Sequence, residues 1–127
     1  MKFQEYTLCK EIKQNLQELG YIKPTDIQYK AIPSILKGED VLAIAQTGTG
    51  KTAAFVIPIL EILYNRTRQK RHKQIQCVIM EPTRELVIQT ARVCNQLAKQ
   101  TSITTLGLLG GVEQDPQIAV LEKGVNI

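Results

Sequence analysis

Residues 41–52 read Val-Leu-Ala-Ile-Ala-Gln-Thr-Gly-Thr-Gly-Lys-Thr, an apolar run that leads directly into a glycine-rich turn. Counted from Ala45, the pattern is A-x-x-x-x-G-K-T, which matches the phosphate-binding loop (P-loop) except that Ala stands at the first glycine position. Small residues let consecutive backbone N–H groups converge on one anion. We expect Lys51 to bind the β- and γ-phosphates and the hydroxyl of Thr52 to bind Mg²⁺. The alternative is a glycine-rich turn between a strand and a helix.

Composition sets the broad class of the chain. Its 127 residues are 43% hydrophobic and 22% charged, which is ordinary for a globular domain. No apolar stretch approaches the ~20 residues of a membrane span, and the N-terminus has no apolar segment of the secretory type. Three widely spaced cysteines argue against a disulfide framework or a C-x-x-C metal site. We therefore expect free thiols and a cytoplasmic location.

The chain carries a formal net charge of +4 and a sequence pI of about 9.0, which permits a polyanionic partner. Much of the positive excess lies in one basic run, formed by Arg66, Arg68, Lys70, Arg71 and Lys73. This run could bind nucleic acid. Its position between a predicted helix and a predicted strand favours the alternative, a solvated loop.

Apolar periodicity predicts an α/β fold. The predicted helices cover residues 7–20, 24–35, 51 to roughly 63, 84–99 and 115–123. Residues 41–45, 75–80 and 103–109 are predicted strands, and 125–127 the start of a fourth. Alternating strands and helices indicate a parallel β-sheet with helices on both faces. The segments that follow the strands should share the edge where such sheets bind ligands.

Four motifs resemble those of DEAD-box ATP-dependent RNA helicases. Gly20–Gln28, Gly-Tyr-Ile-Lys-Pro-Thr-Asp-Ile-Gln, is similar to the Q motif of that family, and Phe3 matches the isolated aromatic seventeen positions before it. Pro82-Thr83-Arg84-Glu85-Leu86 resembles motif Ia, Gly110-Gly111 the GG motif, and 45–52 the P-loop of that family, including Ala45. The resemblance covers essentially the entire chain. One departure is Val87, where the family usually has Ala.

The resemblance implies a RecA-like P-loop NTPase fold, here truncated. It identifies 1–127 as the N-terminal portion of a helicase ATP-binding domain, with 1–40 as the Q-motif helical region and 41–127 as an incomplete P-loop α/β core. The implied activity is ATP hydrolysis, with Mg²⁺, coupled to separation of RNA strands. A second RecA-like domain in the parent protein would be a further partner.

The resemblance also implies site residues. ATP would be bound by Phe3, Tyr21, Lys23, Thr25, Gln28, Gln46, Thr47, Gly48, Thr49, Gly50, Lys51 and Thr52, with Lys51 and Thr52 taking part in catalysis and Thr52 in metal binding. The amide of Gln28 carries the donor and acceptor that adenine requires, and Phe3 could stack on its ring. The alternatives are a surface helix residue at Gln28 and a core aromatic at Phe3.

RNA would be bound by Pro82, Thr83, Arg84, Gly110 and Gly111. A helix N-terminus favours phosphate, glycine permits close backbone approach, and such contacts read no sequence. Helix capping and an ordinary turn are the alternative.

The sequence contains no D-E-x-D tetrapeptide to hold Mg²⁺ and orient the attacking water. The family's arginine finger lies in its second RecA-like domain. We therefore expect this chain alone to be inactive, as the ATP-binding and partial RNA-binding fragment of a helicase. The alternatives are a non-catalytic nucleotide-binding or interaction module and, among enzymes, a DNA translocase, which the Q motif disfavours.

Overall fold

The computed structural model describes residues 1–67 and 74–127. After a 3-10 turn at Phe3–Glu5, five α-helices follow: α1 Lys10–Glu18, α2 Asp26–Leu36, α3 Lys51–Thr67, α4 Arg84–Leu97 and α5 Gln114–Lys123. The five predicted helices are confirmed, with ends that differ by a few residues. None of the helices within these two ranges is long and apolar enough to cross a membrane. Four basic-run residues, Arg68, Lys70, Arg71 and Lys73, lie outside the described residues.

The predicted parallel β-sheet is wrong, because no strand is formed within residues 1–67 and 74–127. A few backbone hydrogen bonds do connect the predicted strands. The N–H groups of Gln76 and Cys77 both donate to the carbonyl of Asn126, at 2.9 and 3.1 Å. The N–H groups of Asn126 and Ile127 both donate to the carbonyl of Thr104, at 3.0 and 3.2 Å. The N–H of Leu106 donates in turn to the carbonyl of Ile127 at 3.0 Å, which is the exchange of a parallel pair. Within the described residues this exchange does not extend into a ladder, so no strand is formed.

Exposure of the apolar runs gives the physical reason. Strands of a parallel sheet are covered on both faces, yet Leu42, Ile44, Val78 and Met80 are 92%, 88%, 77% and 90% exposed. The described residues supply neither the neighbouring strands nor the helices that would cover these side chains. An apolar run identifies a segment that can be buried, but strand formation also requires partners for its backbone groups.

Helix α3 lies at the centre of the core and packs against α1, α2 and α4. It contributes the largest set of buried residues, namely Ala53, Ala54, Val56, Ile57, Pro58, Leu60, Glu61 and Leu63. Five of these residues belong to the hydrophobic core cluster, which also includes Phe3, Ile12, Leu16 and Leu97. Because α3 begins at Lys51, the residue that ends the glycine-rich loop, burial of α3 fixes one end of that loop.

Helix α4 buries Thr90, Cys94 and Leu97, whereas Leu86 is 37% exposed. The departure at Val87 has a structural counterpart in Gly107. A Cβ atom at Gly107 would lie 3.3 Å from Val87 Cγ1, closer than most carbon contacts. The absence of a side chain at position 107 therefore leaves room for the larger residue at position 87.

Two buried polar side chains satisfy the backbone of other elements. The Asn15 amide, on α1, donates from Nδ2 to the carbonyls of Leu97 and Lys99, both at 2.8 Å, at the C-terminal end of α4. The Glu61 carboxylate, on α3, accepts from the N–H of Cys9 at 2.7 Å, at the N-terminal end of α1. Each thus caps a helix to which it does not belong.

All three cysteines are free, as predicted. Burial raises the pKa of the Cys9 thiol to about 11 and that of the Cys94 thiol to about 11. Burial also raises the pKa of Cys77.

Removal of the Asn15 amide is expected to destabilise the chain. Asn15→Ala leaves two carbonyls at the end of α4 without a donor, at a cost of about 1–3 kcal/mol for a buried polar group. Urea denaturation of Asn15→Ala and of the exposed control Gln17→Ala would measure this loss in free energy of unfolding. Equal stability of the two variants would show that the carbonyls of Leu97 and Lys99 find other partners.

Candidate functional site

The loop at residues 46–50 has the geometry of an anion-binding turn. Gly48 and Gly50 have φ of +81° and +82°, in the left-handed region that favours glycine. The Thr49 hydroxyl donates to the carbonyl of Gln46 at 2.6 Å and so tightens the turn. Helix α3 begins at the next residue, so the loop N–H groups lie at a helix N-terminus, where the helix dipole favours negative charge.

Lys51 reaches back across the base of the loop. Its ammonium nitrogen, Nζ, donates to the carbonyl of Ala45 at 2.7 Å, while the side chain stays exposed. A carbonyl is a neutral acceptor, and a phosphate would form a stronger, charge-assisted hydrogen bond with the same ammonium group. The lysine is therefore positioned next to the loop with an acceptor that an anion could replace.

Helix α2 is joined to the loop through its capping box. Within the box, the N–H of Thr25 donates to Gln28 Oε1 at 2.9 Å, and Thr25 Oγ1 accepts from the N–H of Gln28. The same two side chains also donate outward. Thr25 Oγ1 donates to the carbonyl of Thr49 at 2.8 Å, and Gln28 Nε2 donates to the carbonyl of Gly50 at 3.1 Å. The capping box therefore holds two consecutive carbonyls of the loop.

Gln28 is 2% exposed, so it is not the surface helix residue of the alternative interpretation. Its amide retains one N–H and one lone pair beyond the two hydrogen bonds to Thr25 and Gly50. Gly50 is required for this contact. A Cβ atom at position 50 would collide with Gln28 Nε2 and lie 3.4 Å from Thr25 Oγ1.

The structure places Phe3 in the hydrophobic core. Its side chain is fully buried, with ring centroids 5.9 Å from Tyr6 and 6.0 Å from Tyr21, the latter edge to face. In this structure Phe3 is therefore a core aromatic, which is the alternative considered for it above. Tyr29 is the exposed aromatic next to the capping box, where it lines a shallow cleft with Lys23, Thr25 and Asp26. No sequence motif singles out Tyr29, although it directly follows Gln28.

Thr52 lies partly buried in the first turn of α3. Within the described residues, no group of three or more His, Cys, Asp or Glu side chains could hold a metal ion. A single hydroxyl fits Mg²⁺ only as one ligand among several, because Mg²⁺ in nucleotide sites is shared with phosphates and carboxylates. The metal role of Thr52 stays a prediction.

The segments at 82–84 and 110–111 meet in one cleft. Pro82, Thr83, Arg84 and Gly110 line it together with Glu81 and Leu108. Thr83 caps α4, since its Oγ1 accepts from the N–H of Leu86 at 3.3 Å. The Arg84 guanidinium lies against Gly111, because a Cβ atom there would collide with Arg84 Nη2 and lie 3.3 Å from Cζ. The structure thus brings together the five residues predicted to contact RNA.

Two further polar side chains lie at this cleft, Glu81 in its lining and Gln117 beside it. The carboxylate of Glu81 accepts from the Thr90 hydroxyl at 2.6 Å, which holds an acidic group at the cleft. The amide of Gln117 is hydrogen-bonded to the backbone of Leu109, directly before Gly110. Neither belongs to a recognisable motif, and only the hydrogen bonds identify them.

Comparison with known proteins agrees with the motifs. The profile of the DEAD/DEAH box helicase family matches residues 25–127. The chain is 41% identical over 125 residues to the "Probable ATP-dependent RNA helicase ddx27" of Dictyostelium discoideum, covering 98% of this chain and 16% of that protein. The curated relatives are therefore much longer than the chain.

Two solved structures are similar in fold. A DEAD box protein from the hyperthermophile Methanococcus jannaschii aligns over 100% of this chain and 33% of its own, with a TM-score of 0.89 and 38% identity. The RNA helicase Prp28 from Chaetomium thermophilum, bound to ADP, aligns over 99% of this chain and 31% of its own, with a TM-score of 0.85 and 32% identity. The chain therefore belongs to the DEAD/DEAH box helicase family.

Proposed function

We propose that this chain is the nucleotide-binding and partial RNA-binding portion of an ATP-dependent RNA helicase. Residues 1–40 form its Q-motif region and 41–127 its P-loop region. The observation that carries the proposal is the attachment of the P-loop to the capping box of α2 through the carbonyls of Thr49 and Gly50. An ordinary strand-to-helix turn has no need of two side-chain donors from another helix. Family membership and the names of the relatives support the same function.

In the nucleotide site, Lys51 and the N–H groups of residues 46–50 bind the phosphates, and Thr52 provides one ligand to Mg²⁺. ATP supplies the γ-phosphoryl group that the whole protein transfers to water. The remaining hydrogen-bonding capacity of Gln28 selects adenine, with Tyr21, Lys23 and Thr25 around it. A stacking role for Phe3 would require its ring to leave the core, so Gln28 carries the proposal for adenine.

RNA binds through its phosphates at the cleft that Thr83, Arg84 and Gly110 line, next to Gly111. The guanidinium group of Arg84 and the backbone N–H groups of the first turn of α4 donate hydrogen bonds to these phosphates. Because phosphates carry no sequence information, the contact is independent of sequence. The chain has no D-E-x-D tetrapeptide, so its own contribution is binding, and turnover belongs to the whole protein. A cytoplasmic location stays a prediction.

Lys51→Ala is expected to weaken ADP binding by about 1.5–3 kcal/mol, roughly tenfold or more, because it deletes a charge-assisted phosphate contact. The melting temperature should not change, since the exposed Lys51 side chain fills no core volume. Calorimetric titration with ADP would compare this variant with the exposed control Lys37→Ala. Unchanged ADP affinity in a folded variant would contradict the phosphate contact. An unfolded variant whose remaining folded fraction binds ADP normally would show that the lysine is structural.

Gln28→Ala is expected to reduce the preference for ADP over GDP. A site that pairs one base edge leaves polar groups unpaired when another base enters, at a cost of roughly 1–3 kcal/mol. Because Gln28 also holds the carbonyl of Gly50, ADP affinity should fall as well, but phosphate binding should persist. Calorimetric titration would compare ADP and GDP binding by the unmodified chain and by Gln28→Ala. Equal affinity of the unmodified chain for ADP and GDP would remove adenine selection from the proposal.

Arg84→Ala is expected to lower both RNA affinity and its salt dependence. Each phosphate neutralised contributes about −0.7 to the slope of log K against log salt for single strands. Fluorescence anisotropy with a labelled oligouridine across a salt series would compare Arg84→Ala with Arg92→Ala, an exposed arginine on the same helix. A larger effect from neutralising Arg68, Lys70 and Arg71 would move the RNA site to the basic run.

A further inference from the structure

The Gly110-Gly111 turn is closed by one side chain from α5. Gln117 Oε1 accepts from the N–H of Leu109 at 2.9 Å, and Gln117 Nε2 donates to the carbonyl of Leu109 at 3.3 Å. The amide therefore pairs with both backbone groups of Leu109, as a neighbouring strand would. Gln117 Nε2 also donates to the carbonyl of Glu113 at 3.0 Å. One side chain thus holds Leu109, directly before the turn, and Glu113, two residues after it.

Three residues, 110–112, lie between these two fixed points. All three are exposed, and two are glycines, which lose the most conformational freedom when they are ordered. Gly111 has φ of +73° and contacts the Arg84 guanidinium so closely that a Cβ atom would not fit. A turn of this composition would not keep one position on its own. The three hydrogen bonds of Gln117 restrict where Gly111 can lie relative to Arg84.

We propose that Gln117 is a positioning residue for RNA binding, acting as a clasp that presets the Gly110-Gly111 turn against Arg84. The inference rests on the proposed RNA site at this cleft. Gln117 need not touch RNA itself. Its contribution is to remove the entropic cost of ordering the turn when a phosphate backbone approaches, which is how preorganisation raises affinity.

The clasp differs from a charge contact in a measurable way. Gln117 is neutral, so its loss removes no counterion release and should leave the salt slope of RNA binding unchanged. Loss of Arg84 changes both affinity and slope. The clasp also protects a particular proton, the N–H of Leu109, whose exchange with solvent reports directly on the hydrogen bond to Gln117 Oε1.

The experiment uses the 127-residue chain with Gln117→Ala and Gln117→Met, the second of which keeps the side-chain length and removes all hydrogen bonding. Gln114→Ala, at an exposed glutamine on the same helix, is the control. RNA affinity and salt slope are measured by anisotropy with labelled oligouridine, and exchange of the Leu109 amide by NMR on the folded protein. Both Gln117 variants should exchange Leu109 faster and bind RNA about threefold to tenfold more weakly, with an unchanged salt slope. Gln114→Ala should change neither property.

The outcomes separate the inference from the function on which it rests. If Arg84→Ala weakens RNA binding and the Gln117 variants do not, the clasp is overturned and the RNA site stands. Leu109 exchange that stays slow in both Gln117 variants would also overturn the clasp, as would a loss of affinity with an altered salt slope. If Arg84→Ala and both Gln117 variants all bind RNA normally, the RNA site is misplaced and the clasp fails with it.

Discussion

The side-chain amide of Gln28 joins the two parts of the molecule on which the nucleotide site depends. Its oxygen completes the capping box of α2, and its nitrogen holds the carbonyl of Gly50, the last residue before α3. Because α2 and α3 also pack against one another, the loop cannot shift without breaking either the cap or the helix contact. The loop therefore takes its shape from its glycines and its position from α2.

The same kind of interaction recurs where helices and irregular segments meet. Asn15 holds two carbonyls at the end of α4, Glu61 holds an N–H at the start of α1, and Gln117 pairs with Leu109. In each case a polar side chain on a helix satisfies backbone groups of another segment. Buried backbone groups must be paired, and in the described part of the chain no strand ladder provides that pairing. Side chains on the helices take over part of this role.

Apolar periodicity in the sequence predicted the helices, and short motifs identified the candidate site residues. Thr25 caps α2 and Thr83 caps α4, as hydroxyl residues in front of apolar periodic segments should. The prediction of strands was wrong because an apolar run such as 41–45 does not show whether neighbouring strands are present to pair with it. Phe3 is a case of the same limit: an isolated aromatic suits a core and a nucleobase equally, and its packing against Tyr6 and Tyr21 is seen only in the structure. The contacts of Gln117 were not predicted, because the sequence does not show which groups a glutamine side chain in a short helix will bond.

The protonated state of the Cys9 and Cys94 thiols has a practical consequence for chemical labelling. Maleimides and iodoacetamides react with the thiolate, and a pKa of about 11 at Cys9 and Cys94 leaves very little thiolate at neutral pH. A cysteine introduced at an exposed position such as Ser102 would have an ordinary pKa and a thiolate fraction about two orders of magnitude higher. Brief modification would therefore attach a fluorophore or spin label at that position well before it reacts with Cys9 or Cys94.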